Sequence, residues 1–188
     1  MVAVTRWWWV RHGPTHVKAF LGWRDVPADL SDHGAIDRLA AYIPHAPIVA
    51  SDLLRARQTA SAIAAGRARL PDEPDLREFN FGDWDGRHFS EIDEEYSRAF
   101  WDTPGQIAPP GGESWDAVAA RVAACVARLS GGGDLIAVAH IGVIMTQIGR
   151  CQGQSAKTAI GHEIDNLSVT RIEVGPKNQR LVAVNHRP

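Results

Sequence analysis

The sequence predicts an α/β fold: a mostly parallel, doubly wound sheet with helices on both faces and an antiparallel edge near the C-terminus. Three observations carry this. Short β-rich runs at Val2–Val10, Ile48–Ala50 and Leu135–Ala139 alternate with helical patterns, the arrangement that builds βαβ crossovers. Leu135–Ala139 is apolar throughout, as expected of a strand buried on both faces. The runs Leu167–Val174 and Arg180–Asn185 flank Gly175-Pro176-Lys177-Asn178 and read as a terminal hairpin.

Val2–Val10 reads as a central strand ending abruptly at Arg11-His12-Gly13-Pro14, a functional turn. Thr15–Asp32, with a glycine, a proline and aspartates, is expected to be a long loop. Ala35–Ile43 is helical in pattern. Ser51-Asp52 is read as the cap of an alanine-rich helix over Leu54–Ala65. A loop rich in aromatics and glycine covers Glu78–Gly86, and Glu91–Trp101 is helical. Ser114 caps a helix to about Leu129, broken by Gly131-Gly132-Gly133. After the next strand, His140-Ile141-Gly142 opens another helix. Neither a linker nor a repeat interrupts the 188 residues, so one domain over 1–188 is expected. Trp7, Trp8 and Trp9 sit in a strand pattern that favours packing.

Apolar residues at 45% and charged residues at 22% are ordinary for a globular chain. A formal net charge of −2 gives no general attraction to nucleic acid or anionic membrane. Any anion specificity must therefore come from local arginines. Cys125 and Cys151 are too few for a disulfide scaffold and read as buried free thiols. No stretch reaches the ~18 apolar residues of a membrane span, and no signal-peptide pattern opens the chain. A cytoplasmic location is expected. The last hairpin offers an edge strand through which a homodimer could pair.

Ligands of parallel α/β sheets bind at the carboxyl ends of the strands. There the sequence places Arg11-His12, Ser51-Asp52 leading to Arg55, and His140. A phosphate-binding Gly-x-x-x-x-Gly-Lys, a Gly-x-Gly-x-x-Gly, a zinc-type Cys/His spacing and a Gly-x-Ser-x-Gly elbow are all missing from the sequence. What remains is a histidine nucleophile in an arginine-rich anion pocket.

Arg11-His12-Gly13-x-Thr15 at a strand end resembles the signature of the histidine phosphatase superfamily, which includes cofactor-dependent phosphoglycerate mutases. Phe20-x-Gly22-Trp23-x-Asp25 with Leu30-Ser31-x-x-Gly34 is similar to its next loop. Ser51-Asp52-Leu53-x-Arg55-Ala56-x-Gln58-Thr59-Ala60 resembles its second arginine motif. Leu76-x-Glu78-x-x-x-Gly82-x-Trp84-x-Gly86 resembles the acid loop of the phosphatase branch. Gly112-Glu113-Ser114 and Val138-Ala139-His140-x-Gly142 complete the order.

The resemblance implies a phosphomonoester hydrolase with a phosphohistidine intermediate, no cofactor and no metal, acting on a small phosphorylated metabolite. It assigns His12 as nucleophile, and Arg11, Arg55 and His140 as the phosphate clamp. Glu78 becomes the proton donor, with Phe79, Phe81 and Trp84 raising its pKa by desolvation. His140 is expected as an imidazolium held by the phosphate. Thr15, Lys18, Gly22, Trp23, Ile141 and Gly142 are the further candidates for substrate contact. The chain departs from the family at Pro14, where relatives often carry Glu or Gln. It departs again at Lys18, where asparagine is common, and at Ile141, which replaces a glycine. Phosphoglycerate mutase or bisphosphatase chemistry is the alternative, although this chain lacks the insertion of the mutases. A non-catalytic phosphate-ligand binder is a third.

Overall fold

The computed structural model describes residues 3–188. Val2, the first residue of the expected opening strand, lies outside the described residues. Strand β1 spans Thr5–Arg11. Period-2 alternation sends Trp7 and Trp9 to one face, where their rings stack 4.9 Å apart at 15°. Trp8 turns to the other face, beneath the Arg171 guanidinium at 4.3 Å. Helix α1 (His33–Tyr42) follows the long loop and begins two residues before the expected start, because the Asp32 carboxylate accepts the Ala35 N–H at 2.9 Å.

Strand β2 (Ile48–Ala50) is buried throughout and leads into helix α2 (Leu54–Ala62). The expected Ser51-Asp52 cap does not form. Instead the Leu54 N–H donates to Asp25 Oδ1 at 2.6 Å, from the loop before α1. Asp52 takes a two-pronged ion pair from Arg77, at 2.7 and 2.6 Å. Helix α2 also ends three residues short of the expected Ala65. Ala65 and Gly66 both adopt positive φ, and Arg67 donates to the carbonyls of Ala40, Ile43, Pro44, Ile63 and Ala64. One guanidinium thus satisfies the free carbonyls at the ends of two helices.

Helix α3 (Glu94–Asp102) starts later than expected, at an Asp93 cap preceded by a 3-10 turn over Phe89–Glu91. Helix α4 (Trp115–Leu129) carries the Ser114 cap as expected. Strand β3 (Gly133–Ala139) gains two residues over the expectation, its first glycine at φ 81°. Helix α5 (Ile141–Gln152), the short α6 (Ala156–Ala159) and the hairpin β4 (Val169–Val174) and β5 (Gln179–His186) complete the chain.

The sheet order is β2-β3-β1-β4-β5. Strand β3 pairs in parallel with both β1 and β2, whereas β4 is antiparallel to β1 and to β5. Fold class and antiparallel edge are as the sequence predicts, with β1 in the middle. Trp7, Trp9, Leu135 and Ala137 pack under α4 and α5 on one face. Val10, Ile48, Ile136 and Val138 pack under α1 and α2 on the other. Cys125 lies in the first of these cores and Cys151 is half-buried, both as free thiols. No helix is long and apolar enough, among the described residues, to cross a membrane.

Arg67→Met leaves those carbonyls without their charged donor. We expect a loss of roughly 2–4 kcal/mol in urea unfolding, with kcat unchanged, since hydrogen bonds to charged groups contribute ~1.5–3 kcal/mol each and only some will be replaced by water.

Candidate active site

Strands β1, β2 and β3 all end at one edge of the sheet, and three of the site's groups arise there. The His12 N–H donates to Ala139 O at 3.0 Å, extending the β1–β3 ladder one residue beyond the strand. Its carbonyl accepts from Asn166 Nδ2 at 2.7 Å, and Gly13 N–H donates to Thr59 Oγ1 at 2.9 Å. The backbone on both sides of the His12 side chain is therefore tied down. The ring's Nδ1 lies 2.7 Å from Gly13 O, and Arg55 Nε donates to Nε2 at 3.3 Å. A carbonyl can only accept and a guanidinium can only donate, so Nδ1 carries the proton and Nε2 the lone pair. Burial, reinforced by the charges of Arg55 and Arg11, pushes the imidazole down to about 3. Desolvation and the two arginines act in the same direction, and the ring is neutral throughout the physiological range.

Arg55, in the first turn of α2, is fully buried. Besides His12, its guanidinium meets Gly22 O at 2.7 Å and Arg24 O at 3.1 Å. Arg11 is half-buried, with Nη1 on Ile164 O and a buried Nε that has no partner. Burial lowers the pKa of both guanidiniums.

His140 sits at the N-cap of α5 with its ring centroid 5.0 Å from that of His12. Its Nε2 lies 2.9 Å from Ser51 Oγ, and its buried Nδ1 has no protein partner. Complete burial, then the neighbouring His12 and Arg55, hold this ring far below the usual histidine range. The imidazolium expected from the sequence is therefore not the form its own surroundings favour. A neutral ring accepting the Ser51 hydroxyl at Nε2 still presents an Nδ1–H donor.

Glu78 is 4% exposed, and its carboxylate accepts N–H groups from Phe79 at 3.0 Å and Gly142 at 3.2 Å. Burial raises its pKa, opposed by those two N–H groups and by the charges of Arg55 and Arg11. Phe79 and Phe81 stand beside it in the cavity wall, as expected. Trp84 does not: it belongs to a separate cluster with Phe20, Ile92 and Phe100 and supports the wall from behind.

The acid loop is held from below by Arg121 of α4, a residue the sequence reading missed. Its guanidinium donates to the carbonyls of Asp75, Arg77 and Glu78 at 2.7–2.9 Å and to the Glu113 carboxylate. Glu113 in turn accepts the Asn80 N–H at 2.9 Å. A lone arginine between Val118 and Val122 on a helix face that packs inward was the available signal. Ser51 and Thr59, which orient His140 and the His12 backbone, stand in the second arginine motif but were given no role there, and Asn166 left no signal of its own.

A cavity of about 370 Å³ is lined by Arg11, His12, Thr15, Glu78, Ile141 and Gly142 among others. Arg55 and His140 are not in its lining and adjoin it through His12, at 3.3 Å from Nε2 and 5.0 Å between ring centroids. Three other sequence candidates lie elsewhere. Lys18 is exposed and absent from the lining. Gly22 offers its carbonyl to Arg55 beneath the pocket. Trp23 stands outside, with Nε1 donating to Glu78 O at 2.8 Å and its ring under Arg77 at 4.8 Å. At the first departure from the family motif, the Pro14 carbonyl accepts the Asp29 N–H at 2.6 Å and the proline ring is absent from the cavity lining.

A neutral imidazole nitrogen beside two guanidiniums and a buried carboxyl is chemically suited to phosphoryl transfer. The chain belongs to the histidine phosphatase superfamily (branch 1), whose pattern matches residues 7–187. It is a phosphomonoester hydrolase of that class. It is 34% identical to the adenosylcobalamin/alpha-ribazole phosphatase of Salmonella typhimurium, over 77% of this chain and 78% of the relative. The alpha-ribazole phosphatase of Shigella flexneri superposes with a TM-score of 0.84 at 26% identity, covering 97% of this chain and 96% of that one. A mycobacterial glucosyl-3-phosphoglycerate phosphatase gives 0.82 at 27%, covering 97% and 99%.

A Cβ at position 142 would stand 2.5 Å from both Glu78 Oε1 and Phe79 Cδ2. Helix propensity alone would favour Gly142→Ala by about 1 kcal/mol. We expect the reverse: a lower Tm, and kcat on alkyl phosphates reduced on the order of 10²-fold through displacement of Glu78.

Proposed function

We propose that His12 Nε2 attacks phosphorus and forms the N–P bond while the ester P–O bond breaks, the departing alkoxide taking the proton of Glu78. In the second step Glu78 takes a proton from water, which attacks phosphorus, breaks the N–P bond and releases inorganic phosphate. Arg11, Arg55 and the Nδ1–H of His140 hold the equatorial oxygens, where the charge of the transition state spreads. Backbone N–H groups at the start of α5 lie at the positive end of that helix and add to the field. The observation that carries this reading is the hydrogen-bond pattern of His12, which leaves its lone pair on the nitrogen facing Arg55.

Among the described residues no group of three or more His, Cys, Asp or Glu side chains is disposed to hold a metal. We expect turnover of p-nitrophenyl phosphate to survive EDTA, and loss of activity on chelation would overturn the metal-free scheme. Alpha-ribazole phosphate is the first metabolite to assay, because relatives named for it cover most of the chain. In this reading the chain acts as one unit over residues 1–188, in the cytoplasm and without nucleic acid. Any homodimer pairs through the free edge of β5, which sedimentation equilibrium decides.

His12→Ala abolishes ³²P labelling of the protein. A wild-type protein that neither labels nor turns over any ester would instead be the phosphate binder. Release of 2-phosphoglycerate from 3-phosphoglycerate with catalytic 2,3-bisphosphoglycerate would mark a mutase. Glu78→Gln should slow alkyl phosphates by about 10²–10⁴, the usual contribution of a general acid. The same variant keeps a burst of p-nitrophenolate, a leaving group that needs no proton. The Glu78 carboxyl is raised, so its protonated form survives above the normal carboxylate range and is lost as pH rises through the raised pKa. His12, at about 3, stays deprotonated on that whole span. Single-turnover phosphorylation by an alkyl ester should therefore fall only on the alkaline side, and in Glu78→Gln that limb disappears.

A further inference from the structure

Beyond the groups that face phosphorus, the cavity wall is aromatic. Phe20 is its hub, with ring centroids at 5.0 Å to Phe81, 4.3 Å to Phe89 and 6.2 Å to Trp101, the last nearly parallel at 17°. Phe89 is 57% exposed and Trp101 36% exposed, although both line the cavity. These large apolar side chains at the mouth recover their missing burial only when something apolar covers them. Charge is distributed in the opposite sense. Arg11 and Glu78 are the charged side chains of the lining, and both belong to the reacting end. The volume of about 370 Å³ sits at the lower end of the range for small-ligand pockets, roughly 300–1,000 Å³.

We infer that the alcohol portion of the substrate is uncharged and carries a flat apolar ring that lies against Phe20, Phe89 and Trp101, and that the site rejects esters with a second phosphate or carboxylate. The inference rests on the phosphatase reading above. A ring placed there stacks in the offset or edge-on geometries that aromatic pairs favour, at no cost in buried polar groups. A second anion placed there would be stripped of water with no cation to replace it beyond Arg11, which serves the reacting phosphate, and only the Thr15 hydroxyl and indole N–H groups as donors, while facing the negative ring faces and the Glu78 carboxyl. Specificity therefore comes from two sources, attraction for the ring and the penalty on the extra charge.

The test compares kcat/KM for benzyl phosphate and 2-naphthylmethyl phosphate with glycerol 3-phosphate, 3-phosphoglycerate and fructose 1,6-bisphosphate, all esters of aliphatic alcohols. We expect the two aromatic esters to exceed the two that carry a further anionic group, 3-phosphoglycerate and fructose 1,6-bisphosphate, by about 100-fold or more, within reach of sites that leave a buried charge unpaired. Glycerol 3-phosphate should fall between. In a Phe89→Ala/Trp101→Ala double variant the advantage of benzyl over glycerol phosphate should shrink about tenfold, mainly through KM. Competitive inhibition by inorganic phosphate, which occupies the clamp alone, should not move. Equal use of fructose 1,6-bisphosphate and benzyl phosphate, or a double variant with an unchanged ratio, overturns the inference. If no ester turns over, the hydrolase reading itself has failed. Calorimetric binding of benzyl phosphate against 3-phosphoglycerate then still decides the preference, with tighter 3-phosphoglycerate binding overturning it.

Discussion

The Arg55 guanidinium, fully buried and touching no carboxylate, is the constraint on which the rest of the site depends. Removing such a charge from water costs several kcal/mol unless other groups solvate it. Here the carbonyls of Gly22 and Arg24 do so, and the loop between β1 and α1 must fold back across the strand ends to deliver them. Several of its fastenings serve that purpose. Asp85 accepts the N–H groups of Gly22 at 3.0 Å and Arg24 at 2.8 Å, and Asp25 caps α2 one residue before Arg55. Gly22 itself approaches Phe79 so closely that a Cβ would meet its carbonyl at 2.3 Å. A connection this long without helix or strand is unusual in a compact fold. Its conformation is that of a polar lining around a buried cation.

The same charge sets protonation elsewhere. Burial alone would make Glu78 a neutral acid, and the N–H groups of Phe79 and Gly142, then Arg55 and Arg11, pull it back towards a carboxylate. A group that must both give and take a proton needs those two influences in near balance. His12 and His140 experience burial and positive charge with the same sign, and only the Gly13 carbonyl opposes the drive of His12 to neutrality. Cations held without an ion partner, beside a neutral nucleophile, leave the site complementary to one thing: an anion with an electrophilic centre.

How far this was legible in the sequence follows from the range of each interaction. Strands β1 and β3 were readable because burial on both faces writes itself into consecutive residues, and Arg11, His12 and His140 were readable because they directly follow such strands. Glu78 lies on no regular element, and only its resemblance to an acid loop singled it out. The cap of α2 was misread because Ser51-Asp52 has the local chemistry of a cap, whereas tertiary structure gives Asp52 to Arg77 and supplies Asp25 instead. Arg121 and Asn166 act over 43 and 154 residues of sequence, on Glu78 O and His12 O respectively, and no local pattern encodes such distances. Lys18 was singled out by its place in the motif, where relatives often carry asparagine, and its charge suited an anionic substrate or solvent equally. Its neighbours Val17 and Ala19 line the cavity, while its own side chain is exposed.

The division of labour between rigid and irregular segments explains how one chemistry can serve different substrates. His12, Arg55 and His140 stand within two residues of a strand end or in the first turn of a helix packed on the sheet, so their mutual geometry is as fixed as the sheet itself. Phe20, Phe81, Phe89 and Trp101 come from the connections and from α3, segments whose sequence can change without altering strand pairing. Relatives of closely similar fold carry the names of an alpha-ribazole phosphatase and a glucosyl-3-phosphoglycerate phosphatase, two different substrates on one scaffold. Glu78 is the exception that connects the halves. It belongs to a loop, yet it must keep its place against Gly142 of α5, and this is why Arg121, Trp23 and Glu113 are all spent on holding that loop still. The reactive end can then stay constant while the aromatic wall is free to vary.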